Sequence, residues 1–450
     1  MATLTSAFSP AVTSVPLVPG LPLLGNLLDF RRDRLALQDT AAKTGPLARL
    51  QLAHIPLYVV TDAELAHEVF VVHADKYKKS RALQFLRPML GDGLLTSEGE
   101  THKRHRKLLA PAFAPKRLAA YGDVMVDETK RQLAGWHTGM RIDLAHEMME
   151  MTLAIAGKTM FGADVRREAP AVSEGLDLGM RAHQASIRSP IQLGYEWPLP
   201  RHRQMRKAVK LLDDVVYRLI AEGRARGTDK GDVLSILLLA RDEEDGTGLA
   251  DQEVRDEVMT LLLAGHETTA NALTWTWYEL ARNPDALARL QKELEPFGHR
   301  TITTDDLPSL PWNAAVIDEA MRIHPPAYLT GREALEDITL AGHRLPKGSI
   351  VLLNIRGIHL REDYYPSAKS FLPERMLPDA KKARPRTQYL PFGAGPRVCI
   401  GSHFALLEAQ LALATMVQHA SLRMLGQRVI PEPMVTLRPR GGMPAVVERR

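Results

Sequence analysis

The 450-residue sequence predicts a mostly α-helical fold with a smaller β part, an α+β arrangement, on three observations. The first is the run from Asp251 to Arg282, which contains no proline, is crowded with Leu261, Leu262 and Leu263 at its centre, and is stopped by Asn283-Pro284. At 1.5 Å per residue such a helix is about 45 Å long and crosses a whole domain. The second is Ser402 to Gln418, rich in Ala and Leu with neither Gly nor Pro, which reads as an amphipathic or largely buried helix. The third is that strand-like alternation is confined to a few places. Leu47 to Leu52 and Leu57 to Thr61, joined by a short turn containing Pro56, predict a β-hairpin, and Ile338 to Asn354, punctuated by Gly342, Pro346 and Gly348, predicts a second β-rich region.

Along the chain, residues 1–18 are expected to be a flexible N-terminal segment, broken by Pro10 and Pro16. Pro19-Gly20-Leu21-Pro22-Leu23-Leu24-Gly25-Asn26 then forms a stiff, turn-rich entry. Residues 19–450 are expected to form a single domain, because motifs suited to one site are scattered from His102 to Cys399. In the long helix Asp251 is a plausible N-cap.

Hydrophobic residues at 45% and charged residues at 25% describe a soluble chain with ample core. A net charge of +5 is too small to suggest nucleic-acid binding. One cysteine cannot close an internal disulfide, so the cytoplasm is the default location. The first residues lack a basic region and an apolar run, and no later run is long enough to span a bilayer, so neither signal peptide nor membrane anchor is expected. Basic residues gather at His102-Lys103-Arg104-His105-Arg106-Lys107 and at Lys381, Lys382, Arg384 and Arg386. On one face they would form a patch for an acidic protein; otherwise they are two ordinary solvated faces.

Chemistry concentrates at Cys399, in Phe392-Gly393-Ala394-Gly395-Pro396-Arg397-Val398-Cys399-Ile400-Gly401, a glycine-punctuated loop running into the Ser402 helix. A thiolate is favoured there by unpaired N–H groups and the positive end of the helix dipole. Gly393, Gly395 and Gly401 would let the backbone wrap closely round a sulfur. An isolated cysteine would read as a small buried hydrophobe. Here Phe392, Gly395, Arg397, Cys399 and Gly401 fall at F-x-x-G-x-R-x-C-x-G spacing, which resembles the haem-binding signature of the cytochrome P450 family, with Cys399 as the iron ligand.

A second break in pattern lies inside the long helix. Ala264-Gly265-His266-Glu267-Thr268-Thr269 sets a glycine, an acid and two hydroxyls in an apolar run, where they cost stability unless employed. Gly265 would leave room for a ligand, Thr268 can bond back to a carbonyl one turn earlier, and Glu267 with Thr268 forms an acid–alcohol pair able to pass protons. Alone, the stretch would read as a tolerated polar kink. It is similar to the family's A-G-x-E-T-T oxygen-activation motif. Glu319 and Arg322, three apart, with Arg375 in Pro373-Glu374-Arg375-Met376, resemble the family's Glu-Arg-Arg network, a structural role.

The resemblance covers nearly the whole chain and implies the P450 fold, with the long helix over one face of the haem and Cys399 beneath the other. It implies a haem-thiolate monooxygenase using haem b and O2, with electrons from NAD(P)H through a ferredoxin or flavodoxin and its reductase, docked around Lys103, Lys107 and Lys382. Catalytic roles fall on Glu267 and Thr268. Cofactor-binding residues are His102, Arg106, Ala264, Gly265, Arg332, Phe392, Arg397, Cys399 and Gly401, of which His102, Arg106, Arg332 and Arg397 would hold propionates. Phe85, Leu86, Leu261, Ala264, Ala327, Tyr328, Leu329 and Met443 would wall an apolar pocket for a lipophilic substrate such as a fatty acid, terpenoid, steroid or polyketide. A peroxide-driven peroxygenase and a non-enzymatic haem-thiolate sensor or carrier are the alternatives.

Overall fold

The hairpin expected from alternation forms at Leu47–Leu52 and Ile55–Val60, antiparallel, with Leu47 opposite Val60 and Leu52 opposite Ile55. It belongs to a computed structural model that describes residues 14–189, 193, 195–241, 246–426 and 428–449. The chain divides into two units, one running to Ser80 and including Leu329–Ile358, the other comprising Arg81–Tyr328 and His359–Arg450.

In the first unit the hairpin extends into a five-stranded sheet, in the order Leu47–Leu52, Ile55–Val60, Ile350–Leu353, Thr330–Ala334 and Tyr77–Lys79. Ile55–Val60 and Ile350–Leu353 are parallel; the other pairs are antiparallel. The β-rich region expected at Ile338 to Asn354 therefore splits. Ile338–Leu340 and His343–Leu345 close a separate small hairpin, and only Ile350–Leu353 enters the sheet. Val18, Leu37, Ala41, Ala48, Leu50, Leu57 and Val59 form the core. Of the segment 1–18 expected to be flexible, 1–13 lie outside the described residues. Residues 15–18 depart from that expectation: Val15 and Val18 are buried, Val18 N–H donates to the Arg49 carbonyl at 2.9 Å, and Arg49 N–H donates to the Pro16 carbonyl at 2.7 Å. Two apolar side chains and an open strand edge tie them down.

The second unit is helical, and five of its helices position the candidate site: α1 (Gly99–Leu109), α2 (Leu144–Phe161), α3 (Asp251–Arg282), α4 (Pro311–Ile323) and α5 (Ser402–His419). α3 has the bounds the sequence predicts. Asp251, however, is its first helical residue rather than its cap. Ala250 takes the cap position, and its N–H donates to the Glu253 carboxylate at 2.7 Å. Both acids still stand in the first turn, where the helix dipole favours them. α3 packs against α2, α4 and α5, with Trp275 and Trp277 fully buried, as a helix apolar on nearly all sides must be. Among the described residues, no helix is long and apolar enough to cross a membrane. At the C-terminal end, Pro431–Pro433 and Leu437–Pro439 pair as a small hairpin, and Pro444–Arg449 lies between Arg141–Asp143 and Ala420–Met424 in a three-stranded sheet.

Candidate active site

Cys399 lies at the end of a loop folded on itself. Gly393 and Gly395 take φ of 70° and 68°, a region costly for side chains with a Cβ, and Cys399 N–H donates to the Phe392 carbonyl at 3.0 Å. Gly401, with φ −90°, needs no such freedom and serves as the cap of α5. The cysteine is accessible to solvent, yet surrounding protein pushes its thiol pKa up, against the pull of the Gly401 N–H and the Arg106 charge. The sulfur is thus reachable but closely surrounded. Burial keeps the proton on the sulfur; coordination to a metal would remove it, and the Gly401 N–H and the Arg106 charge would favour the resulting thiolate.

α3 shows a matching opening. Its central residues are buried except that Ala264 is exposed and Gly265 and Thr268 are half-buried. Thr268 Oγ1 donates to the Ala264 carbonyl at 2.9 Å, the back-bond the sequence predicts. Gly265 departs from its expected role. A Cβ there would meet the Met160 Cε at 3.0 Å and Sδ at 3.1 Å, so the missing side chain accommodates α2. Ala264 and Thr268, one turn apart, form the open face.

Three expected propionate holders gather where α1 meets the cysteine loop. His102 is buried, Arg106 Nη1 donates to the Val398 carbonyl at 2.9 Å, and Arg397 Nη1 donates to the Ser97 carbonyl at 2.9 Å while its Nη2 pairs with Glu98. Arg332 belongs to the first unit, where it lies over the Phe70 ring at 5.1 Å and donates to the Gly331 carbonyl at 3.1 Å. An accessible sulfur in dense surroundings, an opening in a buried helix, and cations beside the cysteine loop all fit a haem.

The sequence family described as Cytochrome P450 matches residues 15–444. This chain belongs to the cytochrome P450 family. Cyclooctatin synthase of Streptomyces melanosporofaciens is 37% identical over 93% of this chain and 92% of its own. Cyclooctat-9-en-7-ol 5-monooxygenase of the same organism is 32% identical over 96% and 95%, and pentalenene oxygenase of Streptomyces avermitilis is 34% identical over 94% and 92%. The protein is a haem-thiolate monooxygenase that uses haem iron and O2.

In this cytochrome P450 the Glu267 and Thr268 side chains have different partners. The Glu267 carboxylate is buried and held by Arg438, at 2.8 Å from Nε and 2.7 Å from Nη2, and by the Thr436 hydroxyl. His266, assigned no role from sequence, is packed: Nδ1 donates to the Leu262 carbonyl, and burial lowers its pKa. Glu319, Arg322 and Arg375 do meet. Arg322 grips Glu319 with two bonds of 2.8 Å, both side chains fully buried, and Arg375 Nε lies 3.4 Å from Glu319. Arg322 also donates to the His359 carbonyl at 2.8 Å, and His359 Nε2 accepts the Leu390 N–H at 2.8 Å. The network thus reaches the residue two before Phe392 through a single histidine.

The basic run 102–107 is divided by its helix. Arg104 pairs with Glu253 at 2.9 Å, and His105 is buried between Glu257 at 2.7 Å and Glu253 at 3.1 Å. Lys103 and Lys107 are exposed, the former paired with Glu100 at 2.8 Å; Lys381 pairs with Asp318 at 2.6 Å, and Lys382 is exposed. Of the expected pocket residues, Ala264 and Ala327 are exposed, Phe85 is half-buried, and Leu86, Leu261 and Tyr328 are buried; Leu329 lies in the first unit. Met443 is also buried, fully within the core; its N–H donates to Asp143 at 2.8 Å, and its carbonyl accepts the Leu144 N–H at 2.9 Å. The residues that sequence reasoning missed are Thr436, Arg438 and Met434, whose carbonyl accepts the Tyr328 hydroxyl at 3.0 Å.

Proposed function

We propose that this cytochrome P450 inserts one atom of O2 into a cyclic, largely hydrocarbon small molecule of the terpenoid class, with electrons from NAD(P)H delivered by a cytoplasmic ferredoxin or flavodoxin and its reductase. Residues 19–450 would act as one catalytic domain. The observation that carries this reading is the accessible but closely surrounded Cys399, with Gly401 N–H and the Arg106 charge favouring its anion. The relatives' names narrow the substrate, since pentalenene and cyclooctat-9-en-7-ol are by name an alkene and an alkenol. Phe85, Leu86, Leu261, Ala264 and Ala327 supply apolar surface suited to such a molecule.

Haem iron, when bound, supplies the one-electron chemistry and the activation of O2. Cys399 would ligate it, and His102, Arg106 and Arg397 would neutralise its carboxylates. Ala264 leaves space on the open face of α3. Thr268, whose proton is committed to the Ala264 carbonyl, keeps its oxygen lone pairs free to accept from water, and so can hold a proton donor at that face.

The test is turnover of pentalenene and related cyclic alkenes under isotopically labelled O2, with reductase and ferredoxin. One labelled atom should appear in the product and the other in water; product formed only when peroxide is added would contradict the reading. Reversing Lys107 and Lys382 to glutamate should slow reduction and weaken its salt dependence. An unchanged rate would refute docking at these lysines.

A further inference from the structure

Glu267, Asn271, Trp275 and Glu279 stand four residues apart on α3, and so share one face. Each has a partner on another segment. Glu267 holds Arg438 and Thr436; Asn271 donates to the Thr436 hydroxyl at 3.3 Å; the Trp275 indole N–H donates to the Leu437 carbonyl at 2.9 Å. The Trp275 ring stacks on His324 at 4.3 Å, and His324 Nε2 lies 2.7 Å from Glu279. The partners are also joined to each other, because Leu437 N–H donates to the Pro326 carbonyl at 3.0 Å and the Tyr328 hydroxyl to the Met434 carbonyl at 3.0 Å. The hairpin 431–439 and the segment 324–328, which carries the exposed Ala327, are therefore fastened to α3 along one seam.

Successive helical side chains diverge by about 100°. Glu267 lies on the seam and Thr268 on the open face. We propose that Glu267 is a positioning residue: through Arg438 and Thr436 it fixes the wall that the hairpin and Ala327-Tyr328 give to the substrate space. The proposal rests on the haem-thiolate reading. Removing one member of a buried ion pair leaves the other charge unpaired, so the wall should shift when either is changed.

Imidazole and 4-phenylimidazole both bind haem iron through nitrogen but differ in bulk. The ratio of their dissociation constants, from Soret titration of the holoprotein, therefore reads the shape of the surrounding wall. Glu267→Gln and Arg438→Leu should each change that ratio about tenfold. The double variant should go no further than either single one, because both remove the same interaction. Arg438→Lys should restore most of the wild-type value, and together with the isosteric Glu267→Gln it keeps the test intact if Arg438→Leu fails to fold. Ratios near wild type in both Glu267→Gln and Arg438→Leu, or in Glu267→Gln alone if Arg438→Leu fails to fold, would overturn the proposal whether or not turnover falls. A wild-type protein without any Soret response would overturn the haem reading with it.

Discussion

Ala264 and Gly265 are adjacent and differ by one methyl group, but they look in different directions. Ala264 opens onto space, whereas Gly265 faces the end of Met160. Ala264→Phe should abolish or strongly weaken Soret shifts induced by 4-phenylimidazole. Gly265→Ala should leave them unchanged. Its stability should stay within about 1 kcal/mol of wild type, as better helix propensity offsets displacement of a flexible methionine end. Reversed results would put the ligand on the Gly265 side. Residues whose meaning is local were legible in the sequence: Cys399 stands in a loop whose glycine spacing speaks for itself, and Thr268 makes the back-bond its helical position allows. Gly265 was not legible, because Met160 lies on a different helix over a hundred positions away. The Glu267–Arg438 pair was not legible for the same reason, Arg438 belonging to a hairpin near the chain's end.

Elements are held to one another by charge as well as by packing. His105 joins α1 to α3 through Glu257 and Glu253; burial lowers its pKa, but hydrogen bonds and charge from the two acids outweigh this and raise it. A raised folded-state value means that the stabilisation is complete below the unfolded value of about 6.5 and is lost as pH rises through the folded one. Urea unfolding should therefore show wild-type stability falling as the pH is raised from about 6.5, with that component absent in His105→Asn. Equal slopes for the two proteins would remove His105 from the account. Within α4, burial pushes the Glu319 carboxyl up and Arg322 pulls it back. Arg322→Leu leaves that acid buried with only Arg375 nearby and should cost about 3–5 kcal/mol by urea unfolding. A loss below about 1 kcal/mol would show the network to be dispensable. α3 was legible to its last residue, since Asn283-Pro284 stops it whatever surrounds it. The division of the basic run 102–107 was not legible, because a helix sends consecutive charges to different neighbours and Glu253 and Glu257 are far off in sequence.

At the scale of the whole molecule, the α+β class, the helical second unit and the sheet of the first all follow from where alternation gives way to helical periodicity and where proline and glycine interrupt it. The partners of residues 15–18, Met443 and Glu267 were not legible, because they lie on segments distant in sequence. The family match from 15 to 444 and the monooxygenase chemistry it brings converge on the sulfur of Cys399. The most direct test is the reduced, carbon-monoxide-bound absorption spectrum of the purified haem protein beside that of Cys399→Ser. The account predicts the strongly red-shifted Soret band of a thiolate-ligated haem in the wild type and its loss in the variant. The same band in both proteins, or a wild type that takes up no haem, would contradict it.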